Sequence, residues 1–280
     1  MNTHVTVEGA SGLKGWFDEV ERTLSRFDPE SPLSQLNRSP GRWVVVPPLL
    51  FRAIQSALTA AEFTYSAYDP TVLGALEAAG YSQSFDLGPT ERRQPVPAGR
   101  WRAVEIEPSI SAVRLPPGVR LDLGGIGKGL AVDGAMARMA HLPRALVNAG
   151  GDLGLKTAPG AGPVIVEVAN PWNTSETLCS FGLYRGAVAT SSTLGRRWGQ
   201  GLHHIIDPRT GEPSRSGVVA ATVVGTSVAK AEVLAKACIV LGPERGMRLL
   251  AEQEHHGLLV LESGGVLYTP KMEGYLYERT

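Results

Sequence analysis

Residues 218–242 read VVAATVVGTSVAKAEVLAKACIVLG and place the clearest strand pattern of this chain directly before a helix pattern. The first part, VVAATVVG, is apolar and β-branched, which predicts a buried strand. The second part is almost wholly apolar but contains Glu232 and Lys236. Four residues apart on a helix, these two side chains lie one above the other. They form either a surface salt bridge or part of a face that looks into a functional site.

Hydrophobic spacing outward from this stretch predicts an α+β fold. Helices are expected at 13–26, at 127–139, at 243–254 and from Pro47-Pro48 onward, with Leu50, Ile54, Leu58 and Ala61 on one stripe. Strands are expected in WVVV (43–46), RAVEIEP (102–108), SAVRL (111–115), GVRLDL (118–123), RALVNAG (144–150), PVIVEVA (163–169), AVAT (187–190) and GLLVLE (257–262). Residues 82–100 are polar and rich in Pro and Arg, so a mobile loop is expected there.

Composition limits the range of functions. The chain has 280 residues, 43% of them hydrophobic, and can bury the core of one large domain or two modest ones. Lys plus Arg and Asp plus Glu both number 27, so there is no basic footprint for nucleic acid or an anionic membrane. Cys179 and Cys238 have no zinc-type spacing and are expected to be core thiols. No leader or membrane-spanning pattern is found, so a cytoplasmic protein is expected.

The segment DLGGIGKGLAVDGA, residues 122–135, follows an expected strand and leads into a helix. Its four closely spaced glycines let the backbone turn tightly and approach a ligand. The helix N-terminus favours an anion, and Lys128 adds a cation. The spacing matches neither the nucleotide-binding P-loop nor the dinucleotide fingerprint. A phosphate site and a ligand-free turn are equally compatible with the residues.

Three further segments place polar residues at turns or strand ends. NAGGD (148–152) has paired glycines, ATSS (189–192) is rich in hydroxyl groups, and HHIIDPRTGEP (203–213) has two histidines before an Asp-Pro turn. A histidine beside candidate phosphate binders is a plausible general base. Because side chains alternate along a strand, only one of His203 and His204 should face such a site.

Four segments, in this order, resemble the FAD:protein FMN transferase family, often called ApbE: DLGGIGKGLAVD, ALVNAGGDL, AVATS and HIIDPRTG. The N-terminal part adds MNT at 1–3, LSRFDPESPLSQLN at 24–37 and YDPTV at 68–72. The resemblance therefore runs along nearly the whole chain. It implies an α+β fold of antiparallel or mixed sheets flanked by helices, in one ApbE-like (T-fold-like) domain over 1–280.

The same resemblance implies an enzyme that moves FMN from FAD to a threonine of another protein and releases AMP. FAD is then a substrate or ligand, and the partner is an acceptor flavoprotein with the threonine in a flavinylation motif. Such a reaction needs the pyrophosphate charge neutralised, the hydroxyl deprotonated and the reactants aligned. In the family a divalent cation, usually Mg²⁺, neutralises the charge.

The resemblance also assigns roles to single residues. His204, directly before Ile-Ile-Asp-Pro, is the implied general base, and its neighbour His203 is expected to be structural or on the surface. Ala131, through its backbone carbonyl, and Glu232 are the implied metal ligands. Asn148 and Asp152 either line the pocket or serve the strand end. The residues implied to contact FAD are Ala67, Tyr68, Asp69, Lys128, Thr190, Ser191, Asp207 and Lys236.

The chain departs from the family pattern where Asp and Thr normally bind the metal, because Glu232 and Lys236 stand there. An ammonium group has no acceptor and cannot bind Mg²⁺, so a magnesium cofactor is in doubt. The lysine could replace the metal, point away from it, or pair with Glu232 on a solvated face. Two alternative functions follow: an FAD-binding protein with lost or metal-independent transfer, and an FAD pyrophosphatase giving FMN and AMP.

Overall fold

The structure of the protein is a computed structural model that describes residues 4–96, 98–199, 201–273 and 275–276. The MNT match at 1–3 lies outside these residues. The helices are α1 (Lys14–Leu24), α2 (Pro32–Asn37), α3 (Pro48–Phe63), α4 (Leu73–Ala78), α5 (Gly127–Arg138), α6 (Val228–Leu241), α7 (Pro243–Glu252) and α8 (Pro270–Glu273).

The strands are β1 (Val5–Glu8), β2 (Trp43–Val45), β3 (Glu105–Glu107), β4 (Ala112–Arg114), β5 (Ala145–Ala149), β6 (Asp152–Lys156), β7 (Val164–Ala169), β8 (Thr177–Leu183), β9 (Arg185–Ser192), β10 (Arg197–Trp198), β11 (Leu202–His203), β12 (Ile206–Asp207), β13 (Glu212–Pro213), β14 (Val218–Gly225), β15 (His256–Leu261) and β16 (Val266–Tyr268). The chain forms two compact units. Unit 1 comprises Lys14–Gly127 and Arg196–Ser214, and unit 2 comprises the described parts of Thr3–Leu13, Lys128–Gly195 and Arg215–Thr280.

Unit 2 is built on an antiparallel sheet in the order β1-β5-β6-β9-β14-β15-β16. The predicted strand 218–225 is β14, and it pairs with β9 on one side and β15 on the other. The apolar segment that follows it forms α6, which packs against β9 and β14. Since a central strand and its neighbouring helix are both shielded from water, both can be apolar throughout.

The two faces of this sheet are covered by different elements. Leu153 and Leu155 of β6 lie in a buried cluster with Phe181 of the β7–β8 hairpin. The residue between them, Gly154, points to the other face, where a Cβ would lie 2.8 Å from the side chain of Met136 in α5. Helix α5 therefore lies directly on β6.

The thiol of Cys238 in α6 is buried, which raises its pKa to about 12.

Unit 1 contains α1–α4 and small antiparallel sheets, in the order β2-β4-β3 for the largest. The predicted helix from Pro48 is confirmed as α3, and its stripe includes the buried Leu50, Ile54 and Ala61. Tyr81, Trp198 and Leu202 belong to one buried cluster of this unit. That cluster fixes the two short hairpins β10–β11 and β12–β13, which hold the HHIIDPRTGEP segment.

The prediction of a strand in GVRLDL is wrong. The backbone of Leu121 pairs with the side chain of Asn37 instead, whose Oδ1 accepts from the Leu121 N–H at 2.7 Å and whose Nδ2 donates to the Leu121 carbonyl at 2.9 Å. The N–H of Asp122 donates to the Pro70 carbonyl. A side-chain amide has taken the backbone groups that a neighbouring strand would need.

The segment 82–100 contains one short helical turn, Phe85–Leu87, and otherwise no regular structure among its described residues. It makes contacts along its length: the Arg93 N–H donates to the Ala78 carbonyl, and Arg92 pairs with Glu212 at 3.0 Å. Its mobility and the single domain over 1–280 stay predictions.

Among the described residues, no helix has both the length and the apolar character to cross a bilayer.

Candidate functional site

Helices α5 and α6 meet at their N-terminal turns. A Cβ built on Gly129 would lie 2.5 Å from the backbone nitrogen of Ala229, so only glycine allows this approach. The Asp133 carboxylate of α5 accepts hydrogen bonds from the first turn of α6: the N–H of Val228 at 2.8 Å, the N–H of Ala229 at 3.1 Å and the Ser227 hydroxyl at 2.8 Å. The amide groups that a helix start leaves unpaired are thus satisfied by the neighbouring helix.

Asp133→Ala is expected to destabilise the protein by about 1–2 kcal/mol, the usual cost of removing a helix-capping side chain. The loss should be measured as a lower free energy of unfolding in urea. Asp18→Ala is the matched control, because Asp18 forms an exposed pair with Lys14 at 2.6 Å. It should change stability by less than about 0.5 kcal/mol. Equal effects of the two variants would contradict the capping role of Asp133.

The contact between α5 and α6 places four charged side chains together, here called the Lys128 cluster: Lys128, Asp152, Glu232 and Lys236. The ammonium of Lys128 contacts the carboxylates of Asp152 and Glu232, the latter at 3.1 Å. The ammonium of Lys236 donates to Glu232 Oε1 at 3.0 Å. Glu232 thus lies against two cations, and one of them, Lys128, also pairs with the second anion, Asp152.

Glu232 has no exposed surface, and both of its oxygens accept hydrogen bonds or ion-pair contacts. Oε2 accepts from the Gly129 N–H at 2.8 Å, and Oε1 lies against the two ammonium groups. Burial by itself raises the pKa of Glu232. The nearby charges of Lys128 and Lys236 and the Gly129 hydrogen bond outweigh burial and lower the pKa to about 2. The carboxylate is therefore ionised at every physiological pH.

The interpretation of Glu232 and Lys236 as a solvated surface pair is wrong. The side chain of Glu232 is 0% exposed and that of Lys236 is 14% exposed. The spacing alone fits a surface pair, but the neighbouring residues on α6 are apolar and buried, so the pair is buried with them.

The acid stability of the protein should depend on Glu232. Its folded pKa is about 2, below the ordinary value of 4.5, so its stabilising effect is complete above pH 4.5 and is lost as pH falls toward 2. At 1.36 kcal/mol per pKa unit, this amounts to roughly 3 kcal/mol. Glu232→Gln should make the free energy of unfolding less dependent on pH below 4.5, as measured by urea unfolding at several pH values. If the free energy of unfolding of Glu232→Gln fell below pH 4.5 as steeply as that of the wild type, the predicted role of Glu232 in acid stability would be contradicted.

A divalent cation does not fit the cluster as it stands. Among the described residues there is no group of three or more His, Cys, Asp or Glu side chains that could hold a metal ion. A dication on Glu232 Oε1 would lie beside two ammonium groups that already contact this oxygen, and both would repel it. Ala131 is fully buried in α5. The assignment of Ala131 and Glu232 as metal ligands stays a prediction, and this donor set does not favour it.

Three other predicted residues of unit 2 lie on the sheet. Thr190 of β9 is exposed, and its hydroxyl is 2.9 Å from the hydroxyl of Thr222 on β14. Ser191 is buried on the same strand. Asn148 serves the strand end, because its Oδ1 accepts from the Gly151 N–H at 2.9 Å in the β5–β6 turn. That turn has positive φ at both central glycines, Gly150 (63°) and Gly151 (95°), as a two-residue hairpin requires.

In unit 1 the predicted flavin-binding residues 67–69 follow a strained turn. Tyr65 and Ser66 have φ values of 55° and 66°, a left-handed conformation that is uncommon outside glycine and often marks functional segments. Ala67, Tyr68 and Asp69 are buried. The sequence contains no signal for this strain, so sequence reasoning did not predict it.

Asp69 is buried with its carboxylate turned toward its own chain. Oδ1 accepts from the N–H and the hydroxyl of Thr71 at 2.7 and 2.6 Å, while Oδ2 has no hydrogen-bond partner among the described residues. Burial raises the pKa of this carboxyl, and hydrogen bonds from Thr71 and from the Trp101 backbone, with the charge of Arg102, lower it by a smaller amount. The Thr71 hydroxyl also accepts from the Arg100 N–H at 3.0 Å, so part of the 82–100 segment lies against this turn.

The two neighbouring histidines have different surroundings. The ring of His203 is buried: the Ile205 N–H donates to Nδ1 at 3.3 Å, so the ring proton lies on Nε2, which donates to the Ser214 carbonyl at 3.0 Å. His203 is therefore structural. The side chain of His204 is half-buried and follows β11 directly.

Asp207 shapes its turn. Its carboxylate accepts from the Arg209 backbone N–H at 2.9 Å and pairs with the Arg209 guanidinium. Its carbonyl accepts from the N–H of Thr210 and of Gly211, which closes the turn. A contact of Asp207 with nucleotide stays a prediction, as does the role of His204 as a base.

The fold and the Lys128 cluster together define a class of protein, an α+β protein in which two partly exposed lysine side chains pair with two buried carboxylates. The sequence model of the ApbE family matches residues 1–260. The chain therefore belongs to the ApbE family.

Two curated relatives are named FAD:protein FMN transferase. The protein of Rhodobacter capsulatus is 30% identical over 279 residues, which cover 94% of this chain and 52% of that protein. The protein of Treponema pallidum is 32% identical over 259 residues, covering 84% and 71%. This chain thus spans about half the length of the Rhodobacter relative.

Solved structures support the same fold. The ApbE protein of Thermotoga maritima is 26% identical with a TM-score of 0.86, covering 99% of this chain and 100% of that one. The flavin transferase ApbE of Vibrio cholerae is 22% identical with a TM-score of 0.78, covering 99% and 96%, and shows the likeness of fold alone. The predicted α+β, ApbE-like fold is confirmed.

Proposed function

We propose that this protein transfers the FMN half of FAD to a threonine of an acceptor protein and releases AMP. The threonine oxygen forms a new bond to the phosphorus of the FMN half. The bond from that phosphorus to the bridging oxygen breaks, and its electron pair leaves on the AMP phosphate. The hydroxyl proton passes to a base, so one phosphoester replaces one pyrophosphate bond.

The observation that carries this proposal is the family match over residues 1–260, together with relatives named for this reaction. The Lys128 cluster supports it, because ammonium groups at the solvent-facing side of buried carboxylates can neutralise a pyrophosphate. His204 is the proposed base. Asp69, whose buried Oδ2 lacks a partner among the described residues, could accept from an N–H of the flavin or adenine.

The proposed remaining FAD contacts are those implied by the family resemblance. They comprise Ala67, Tyr68, Thr190, Ser191 and Asp207. In this proposal Thr190 contributes its hydroxyl, which lies 2.9 Å from the hydroxyl of Thr222, and Asp207 acts through the turn that it holds with Arg209. The acceptor is proposed to present its threonine in a flavinylation motif.

The test is incubation of the purified protein with FAD and an acceptor protein carrying such a motif. Transfer should yield AMP and covalent FMN on the acceptor in equal amounts, measured by chromatography and by the mass of the acceptor. Free FMN with AMP would instead indicate a pyrophosphatase, in which water replaces the threonine. Tight FAD binding with no products would indicate a binding protein of this fold.

A further inference from the structure

In the Lys128 cluster the two carboxylates are buried and the two ammonium groups lie nearer to solvent. The side chains of Asp152 and Glu232 are 0% exposed, whereas those of Lys128 and Lys236 are 23% and 14% exposed. A ligand that reaches the cluster from solvent therefore meets ammonium groups before carboxylates. Since Coulomb attraction grows as distance shortens, such a face favours an anion although the four charges sum to zero.

Lys236 has hydrogen-bonding capacity for a ligand. Its ammonium has three N–H donors, and its one recorded contact among the described residues is Glu232 Oε1 at 3.0 Å. Glu232 itself cannot turn away, because its other oxygen is held by the Gly129 N–H at the α5–α6 contact. The carboxylate thus positions the lysine, and the remaining donors of the lysine can bind phosphate oxygens.

A divalent cation would have to displace this arrangement. It would need Glu232 as a ligand, yet both oxygens of Glu232 already accept from N–H donors. The two ammonium groups that would repel it are held by buried carboxylates, Lys128 by Asp152 and Glu232, and Lys236 by Glu232. Withdrawal of Lys128 would take the ion pair from buried Asp152, and withdrawal of Lys236 would leave Glu232 with Lys128 as its one cation among the described residues.

We propose that Lys236, held by Glu232, takes the place of a divalent metal ion, so that this protein binds the pyrophosphate of FAD without metal. This inference rests on the proposed function only in taking FAD as the ligand. Lys128 would contact the same pyrophosphate from α5. No step of binding then depends on Mg²⁺.

The test measures FAD affinity by quenching of flavin fluorescence, once with EDTA and once with millimolar Mg²⁺. The wild-type protein should give the same Kd within about twofold in both. Lys236→Met should weaken binding tenfold or more in EDTA, and Lys236→Arg, which keeps the charge, should lose less. Lys230→Met, on the same helix but outside the cluster, is the matched control and should leave the Kd unchanged.

A reciprocal variant sharpens the result. Lys236→Thr combined with Glu232→Asp removes the ammonium and supplies two oxygen ligands, so its FAD affinity should rise tenfold or more when Mg²⁺ is added. Calorimetric titration of Mg²⁺ alone should show saturable binding to this double variant and none to the wild type. Circular dichroism would confirm that each variant is folded.

The outcomes separate this inference from the proposed transfer. Wild-type FAD binding that requires Mg²⁺ would overturn the inference and leave the transferase proposal standing. Equal binding in EDTA and Mg²⁺ without FMN transfer would support the inference and contradict the transferase. Absence of FAD binding in both conditions would overturn both.

Discussion

Gly129→Ala is expected to destabilise unit 2 strongly. The new Cβ would lie 2.5 Å from the backbone nitrogen of Ala229 and closer still to its Cα, whereas real Cβ contacts essentially never fall below 3.0 Å. The colliding atoms are backbone, so no rotamer change relieves the overlap. Helices α5 and α6 would have to separate.

Separation would also break the polar contacts that join the two helices. The Gly129 N–H would leave Glu232, and the first turn of α6 would leave Asp133. The combined cost of the overlap and of unsatisfied buried groups is about 4 kcal/mol or more, a large part of the stability of a domain. The measurement is urea unfolding followed by circular dichroism, with soluble yield as a second reading.

Gly15→Ala provides the matched control for this prediction. Gly15 also lies in the first turn of a helix, α1, and a Cβ there would meet no heavy atom within 4 Å. Alanine has the higher helix propensity, so this variant should be as stable as the wild type or more stable by up to about 1 kcal/mol. A Gly129→Ala protein that unfolds at the wild-type urea concentration would show that α5 and α6 can move apart at little cost.

The elements that could be predicted from sequence are those whose side chains report burial directly. β14 and α6 are apolar along most of their length because both lie inside unit 2. The start of α5 at Gly127 was likewise readable, since a glycine-rich loop gives way to a helical pattern there. The apolar stripe of α3 could be predicted because one face of this helix is buried in the core.

The features that could not be predicted depend on contacts distant in sequence. Gly129 is required by α6 and not by a left-handed turn or a bound phosphate, and nothing in the glycine-rich segment distinguishes these reasons. The pairing of Asn37 with Leu121 spans 84 positions and replaced an expected strand. Asp133 has the residue type of a helix cap, but the helix it caps starts 95 positions later.

The candidate site shows the same limit. The spacing of Glu232 and Lys236 could be read from sequence, and the apolar residues around them already disfavoured a solvated face. The sequence did not predict the contact of Lys128 with Glu232, nor that of Lys128 with Asp152. These contacts join residues of α5 and β6 to α6, which are distant in sequence. Helix spacing relates residues on one element only, and this cluster draws on three.

His204→Ala is expected to lower the rate of FMN transfer by roughly 10²–10⁴-fold, the usual contribution of a general base. Without the imidazole, the threonine hydroxyl must lose its proton to water. The Kd for FAD should change by no more than a few-fold, since a base acts on the acceptor hydroxyl and not on the bound nucleotide. Free imidazole should restore part of the rate, because it can occupy the space left by the side chain and accept the proton.

Alanine variants of two other histidines, His141 and His203, serve as controls that distinguish a loss of catalysis from a loss of stability. His141→Ala changes an exposed side chain after α5 and should keep the wild-type rate and stability. His203→Ala removes a ring that accepts from Ile205 and donates to Ser214, so it should lower the midpoint of unfolding while its folded fraction still transfers FMN. Transfer by His204→Ala within tenfold of wild type would remove His204 from the reaction. A folded His203→Ala protein that loses transfer as completely as His204→Ala would instead mean that the base is held by, or is, His203.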